Sequence, residues 1–201
     1  MRVLVVTNMY PSPERPALGG FVRDQVEALR ELRGLEVEVF AFAGGGARAY
    51  ARAARALRAR HRGGRFDVVH AHYGLSGWVA LALGSRPLVV TFHGTDLAHR
   101  AVGPASRALA RVVDLPATVS ASLARSGDGP HGAGRERRVA VLPCGADLDR
   151  FAPRDRRAAR AAVGLDPDGP LLLFPGDPRR AEKRHDRAAA LAQAARARLL
   201  T

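Results

Sequence analysis

The chain has 201 residues, of which 47% are hydrophobic and 25% charged, enough apolar material for a packed core and evidence against wholesale disorder or a fibrous repeat. Lysine plus arginine total 32 against 19 aspartates and glutamates, a net charge of +13 carried by arginine, since Lys183 is the single lysine; such a field attracts phosphate-bearing partners without naming one. The single cysteine, Cys144, excludes an internal disulfide framework and an all-cysteine metal cluster, and aromatics at 5%, mostly inside apolar runs, leave no nucleic-acid partner expected.

Residues 3–7 are a compact β-branched run, bounded by Asn8 and by a loop with Pro11, Pro13 and Pro16 that ends at Gly19-Gly20. Phe21, Val22, Val26, Leu29 and Leu32 then recur at helical spacing. Residues 36–42 read as a second strand, broken by Gly44-Gly45-Gly46, and residues 47–62 as an Ala/Arg helix lying shallowly on the sheet. A third strand is predicted over 66–70, a short helix over 76–83 and a fourth strand over 87–92. Residues 97–115 suggest a helix running into a strand that ends at 117–120; 126–138, with His131, read as a surface loop, and 139–143 as another strand. Strands alternating with helices over short connections imply a parallel sheet of about six strands with helices on both faces. After an arginine-rich helix and a turn-like stretch at 164–169, the run 171–174 restarts the cycle. The expected organisation is a Rossmann-like domain with linker over 1–167 and the first strand and helix of an incomplete second domain over 168–201, too short to bury a core of its own.

Open parallel sheets bind ligands beyond the carboxyl ends of their strands, and polar clusters fall on such ends. Gly19-Gly20 opens a helix whose free N–H groups suit an anion, although a capped helix start after a proline turn reads the same way. His70, His72 and Tyr73 follow the third strand; two histidines at i and i+2 without a third ligand leave a polar pocket rim preferred over a metal site. His93-Gly94-Thr95-Asp96 follows the fourth. A histidine there titrates near neutrality and can donate to a hydroxyl or to developing charge, while Asp96 either orients a partner or caps the next helix. Cys144 has no activating base in sequence and reads as a turn or pocket residue. Gly176 with Arg179, Arg180 and Lys183 suits a diphosphate or an ordinary solvated helix. No dinucleotide or P-loop fingerprint follows the first strand.

Taken together, His93-Gly-Thr-Asp96, Val119-Ser120, the segment 141–147 with Phe151, and the segment 172–176 leading to Glu182-Lys183 resemble glycosyltransferase family 4, retaining enzymes of the two-domain GT-B fold. The resemblance runs in order along essentially the whole chain. It implies an acceptor-side, GT-B type N-terminal domain followed by the start of a donor-binding domain. By that resemblance the catalytic residues are His93 and Asp96. Gly19, Gly20, Ser120, Arg179, Arg180 and Lys183 contact the donor phosphate or sugar, and His72 and Tyr73 lie on the acceptor side. The family arginine directly after the glycine is replaced by Asp177, so Arg179 or Arg180 stands in; Pro143-Cys144-Gly145 replaces the more usual proline-asparagine-glycine.

The implied reaction transfers a sugar from a nucleotide diphosphate sugar to an acceptor hydroxyl with retention, in cell-envelope or exopolysaccharide synthesis. It needs no cofactor and no metal. A front-face route, with the leaving diphosphate taking the acceptor proton, fits better than double displacement, because no flanking carboxylate pair is evident. The nucleotide-binding segment of the family is not reached by Thr201, so the chain on its own is expected to be inactive. The acceptor is expected to be a glycan or lipid-linked molecule. The location is expected to be cytoplasmic, with the arginines of 47–62 offering a peripheral contact at the inner membrane face. A reading of another class remains open, a non-catalytic Rossmann-like module for a phosphorylated metabolite or nucleic acid.

Overall fold

The structure, a computed structural model, describes residues 1–84, 87–126, 129–130 and 138–201. The chain divides into two compact units, Met1–Asp147 and Leu148–Thr201.

In the first unit the elements follow in the order β1 (Arg2–Thr7), α1 (Gly20–Arg30), β2 (Glu36–Ala41), α2 (Ala47–Arg60), β3 (Val68–His72) and α3 (Gly74–Leu81). They continue with β4 (Leu88–Phe92), α4 (Thr95–Ala98), α5 (Gly103–Ala110), β5 (Leu115–Thr118), α6 (Ala121–Arg125) and β6 (Ala140–Val141). Six strands form one sheet in the order β2-β1-β3-β4-β5-β6, and every pairing is parallel. Alternation along β1 assigns its two faces. Val3 and Val5 pack with Val22 and Val26 of α1 and with Val37. Leu4 and Val6 pack on the other side with Leu57 of α2, Val79 of α3, Val90, Phe92 and Leu109 of α5. This is a Rossmann-like α/β arrangement, with helices on both faces. Fully buried side chains such as Leu57 and Leu109 each contribute about 2 kcal/mol through removal from water.

The order of the strands reverses at β1 and β3. The chain leaves β1 toward β2 on one side and leaves β3 toward β4 on the other, so the connections after Thr7 and His72 diverge and open a crevice at the carboxyl edge.

Several sequence boundaries shift. The third strand runs over Val68–His72 rather than 66–70, so His70 and His72 lie within it, paired opposite Val5 and Thr7 of β1. The stretch 97–115 holds the end of α4 and the whole of α5, and the expected strand at 139–143 shortens to Ala140–Val141. The short helix α6 has no counterpart among the expected elements; Ser120 caps it by accepting from the N–H of Leu123. The surface loop expected at 126–138 lies largely outside the described residues.

The second unit contains α7 (Arg156–Ala162), β7 (Leu171–Leu173), a 3₁₀ turn (Ala181–Lys183), α8 (His185–Ala194) and β8 (Arg198–Leu200), with β7 and β8 parallel. It begins about 20 residues before the expected boundary at 167/168. Arg160 ties α7 to the turn that leads into β7: its Nη1 donates to the carbonyls of Asp166, Pro167 and Gly169 at 3.2, 2.9 and 2.8 Å. Among the described residues no helix is long and apolar enough to cross a membrane.

Candidate active site

Three strand-to-helix connections of the first unit meet around His93. After β4 the chain turns at Gly94, whose φ of 94° lies where glycine is favoured, and this presents His93 at the strand end. Phe21, the second residue of α1, places its ring 5.0 Å from the His93 imidazole. The Gly19-Gly20 helix start and His93 are thus neighbours, as a joint site requires.

The two glycines have different reasons for being there. Gly19 has φ 68°, and a Cβ would fall 2.2 Å from the Met9 carbonyl oxygen, so the fold itself demands glycine. A Cβ on Gly20 would meet nothing within 4 Å. The open space at Gly20 leaves the first turn of the eleven-residue α1 accessible, and no side chain caps that helix start.

His93 belongs to a row of three imidazoles on one face of the sheet. His70 Nε2 lies 2.8 Å from Thr91 Oγ1, the His70 and His72 rings are 4.4 Å apart, and His72 Nδ1 lies 3.3 Å from His93 Nε2. Burial pushes His93 and His70 down to about 4 and His72 well below the usual histidine range, with neighbouring imidazoles adding to the depression of His70 and His72. This corrects the expectation that His93 titrates near neutrality: at pH 7 it is a neutral ring. The His72 contact then needs one nitrogen donating and one accepting, so the tautomers of the two rings are coupled: a proton on His93 Nε2 requires a bare His72 Nδ1, and the reverse.

Asp96 is fully buried. Its Oδ2 accepts from the Gly74 N–H at 2.9 Å and its Oδ1 from the His93 N–H at 3.0 Å. Burial pushes its carboxyl up, against the backbone N–H groups that favour the ionised form. The expected catalytic part for Asp96 is therefore corrected to a positioning one, because both oxygens are engaged and none faces solvent. The carboxylate ties the connection after β3 to that after β4.

Tyr73 sits in the clamped turn with φ 80°, uncommon for a residue with a side chain and costing on the order of 1–3 kcal/mol. Its N–H donates to the Thr91 carbonyl at 3.0 Å, and the residue is half-buried. A Cβ on the following Gly74 would collide with Ser106 Oγ at 2.1 Å, so glycine is obligatory there. His72, expected on a pocket rim, is instead 3% exposed and reaches outward only through His93. Ser120, at the end of β5, is half-buried, and its hydroxyl is occupied by α6 and by Ser122.

Sequence reasoning missed a polar network across the crevice. Asn8 Nδ2 donates to the Tyr50 hydroxyl at 3.0 Å, and the Asn8 backbone N–H donates to Ser76 Oγ at 3.1 Å. Asn8 was legible as the polar residue ending the first strand; Tyr50 and Ser76 carried no local signal. Beside Asn8 a cavity of about 500 Å³ is lined by Tyr10, Ser12, Glu14, Arg15, Phe42 and Gly44, beyond the ends of β1 and β2.

In the second unit Arg179 pairs with Asp177 at 3.1 Å and Arg180 with Glu182 at 2.7 Å, all at exposed positions. Lys183 is exposed, with its stem beside Gly176, where a Cβ would lie 3.6 Å from Lys183 Cγ. Cys144 is exposed and free. Among the described residues no cluster of three or more His, Cys, Asp or Glu side chains could hold a metal ion.

The family model for Glycosyltransferase Family 4 matches residues 2–150. The chain belongs to Glycosyltransferase Family 4. Among curated relatives, the D-inositol 3-phosphate glycosyltransferase of Geodermatophilus obscurus is 39% identical over 132 residues, covering 59% of this chain and 29% of that protein. The D-inositol 3-phosphate glycosyltransferase of Mycobacterium tuberculosis is 38% identical over 143 residues, covering 62% of this chain and 29% of that protein. The chain spans about three tenths of the length of these family members in the matched region. Of solved structures, a sucrose-phosphate synthase from Thermosynechococcus elongatus superimposes with a TM-score of 0.65 at 18% identity, over 99% of this chain and 69% of that one, a likeness of fold.

Proposed function

We propose that the protein transfers a sugar from a nucleotide diphosphate sugar to an acceptor hydroxyl with retained configuration, and that the first unit supplies the acceptor side and the histidine. The observation that carries this reading is the meeting of Phe21, at the start of α1, with His93 at 5.0 Å, because it brings a free helix N-terminus and an imidazole to one place within a family of glycosyltransferases.

In this mechanism the acceptor oxygen bonds to the anomeric carbon on the face from which the diphosphate departs. The bond to the phosphate oxygen breaks, and the departing diphosphate takes the acceptor proton. No protein carboxylate is assigned as base, consistent with Asp96 being fully engaged. His93, neutral at pH 7, orients the transferred sugar by donating from Nδ1 in the tautomer whose Nε2 accepts from His72 Nδ1, the two atoms lying 3.3 Å apart. The N–H groups at Gly20 favour the developing negative charge of the leaving group. Lys183 supplies a cation to the diphosphate. Arg179 and Arg180 serve only if they leave Asp177 and Glu182.

The acceptor lies toward Tyr73 and the Asn8-lined cavity, whose hydroxyls, amide and Arg15 suit a hydroxyl-rich molecule. The relatives' names make D-inositol 3-phosphate the first acceptor to test, and a lipid-linked or envelope glycan the second. A cytoplasmic location, with a peripheral membrane contact, belongs to the second case. The test is a donor and acceptor screen on the full-length protein, read as nucleoside diphosphate release with the anomeric product assigned by NMR. Transfer with retention supports the reading. An inverted product, or release without transfer to any hydroxyl acceptor, overturns it.

A further inference from the structure

At the opposite edge of the sheet, where α2 hands the chain to β3, a cavity of about 630 Å³ is lined by Arg55, Arg58, Ala59, His61, Arg62 and the turn at Gly63-Gly64, and closed by Leu83. Arg55, Arg58 and Ala59 stand at i, i+3 and i+4 on the last turns of the helix, and Arg62 follows in the turn two residues past its end. The small residues Ala59, Gly63 and Gly64 leave the space between the long side chains open. No aspartate or glutamate occurs between Glu38 and Asp67, and the Glu38 carboxylate, 3.9 Å from His61 Nδ1, is paired with Arg2. Arg23, Arg157, Arg179, Arg180 and Arg184 each meet a carboxylate, whereas the guanidinium groups of Arg55, Arg58 and Arg62 have no partner among the described residues.

His61 adds an independent observation. Its side chain is 7% exposed and packs edge-on against Phe40 and Phe66, and its Nε2 is buried without a hydrogen-bond partner. A buried polar atom left unpaired costs about 1–3 kcal/mol, and here it belongs to a residue lining the cationic cavity. Cations in the last turn also complement the helix dipole, which accounts for Arg58 and Arg60 but not for the gathering of Arg55 and Arg62 around one cavity. The cavity, at about 630 Å³, has room for more than one phosphate group.

We propose that this cavity binds an anion carrying more than one phosphate group, gripped by the Arg55, Arg58 and Arg62 forks. It is a second site, at the end of the sheet away from His93, and it stands or falls independently of the transferase reading. The same chemistry comes either from a soluble diphosphate or from adjacent headgroups of an anionic lipid.

The test uses the 201-residue chain with inorganic pyrophosphate by calorimetry at low ionic strength, and with phosphatidylglycerol or phosphatidylcholine vesicles by co-sedimentation. The variant R55Q/R58Q/R62Q is compared with R48Q/R52Q/R60Q, which removes the same charge from the same helix outside the cavity lining. Both are checked for helix content and melting temperature, and the His61 ring resonances are followed. Pyrophosphate affinity at least tenfold weaker in the first variant and within about twofold of the parent in the second, with a shift of the His61 resonances on binding, supports a soluble ligand. Binding to phosphatidylglycerol vesicles that only the first variant loses, without pyrophosphate binding, supports the lipid source. Equal weakening in the two variants means a general charge field and overturns the site, as does the absence of binding to either probe.

Discussion

The carboxyl edge of the first unit and the basic turn of the second were expected to share one task, yet they are built in opposite ways. Around His93 the polar groups are buried and hold one another: His72 meets His93, Asp96 takes two backbone N–H groups, and Phe21 covers the imidazole. In the 177–183 turn the charges are exposed, and each arginine is matched to a carboxylate two residues away. Buried partners fix geometry and shift proton affinities, whereas exposed pairs contribute little and exchange freely with solvent or ligand. The first region is therefore built to hold its polar groups in fixed orientation, and in the second the arginines can engage a ligand only by giving up their local pairs.

Substitutions can break this contrast, and the largest effects belong to the first region. Gly19→Ala forces a side chain into a left-handed conformation and against the Met9 carbonyl; a loss of about 3 kcal/mol or more is expected in denaturant unfolding. Asp96→Ala strands the N–H groups of Gly74 and His93 and should cost about 3 kcal/mol, with Asp96→Asn milder because one acceptor oxygen remains.

Acidification should act next. The depressed His70 and His93 are stabilising when neutral, so their contribution is complete above about pH 6.5 and is lost as pH falls toward about 4, where the folded rings protonate. Asp96, with its carboxyl raised, works in the opposite sense, adding stability at low pH that is lost as pH rises through its folded value. With the imidazoles outnumbering that one carboxyl, the melting temperature should fall from pH 7 to pH 4. His70→Phe should flatten the profile, and an unchanged slope would mean that His70 is solvated.

A sharper contrast comes from Gly20→Ala, which meets nothing within 4 Å and should leave the unfolding free energy within about 0.5 kcal/mol of the parent while lowering turnover, if a ligand uses that space. Arg179→Ala should be the smallest, within about 0.5 kcal/mol in stability, since its pair with Asp177 is exposed. A large loss there would erase the distinction between the two regions.

The sequence made the alternation of strands and helices legible, because the β-branched runs at 3–7 and 87–92 and the helical spacing of Val22 and Val26 are local signals. It misplaced the end of β3, because two histidines look like the end of an apolar strand. In the fold their rings are satisfied by Thr91 and His93, and the ladder continues to His72. His93 was visible from its place after the best strand. The part played by Asp96 was not, because its second partner, Gly74, is 22 residues away, and no pattern in one chain reports such a contact. Proton affinity was illegible for the same reason: it depends on how far the fold buries a ring, so His93 reads as an ordinary histidine until its surroundings are known.

The most direct measurement of the central claim is turnover of the full-length protein with His93→Ala, taken alongside its unfolding free energy. Turnover reduced at least tenfold, equivalent to about 1.4 kcal/mol of transition-state stabilisation, in a protein that still unfolds cooperatively and loses no more than about 1–3 kcal/mol for the His72 partner removed, is the expected result. Undiminished turnover would place the transfer chemistry somewhere other than the strand ends around His93.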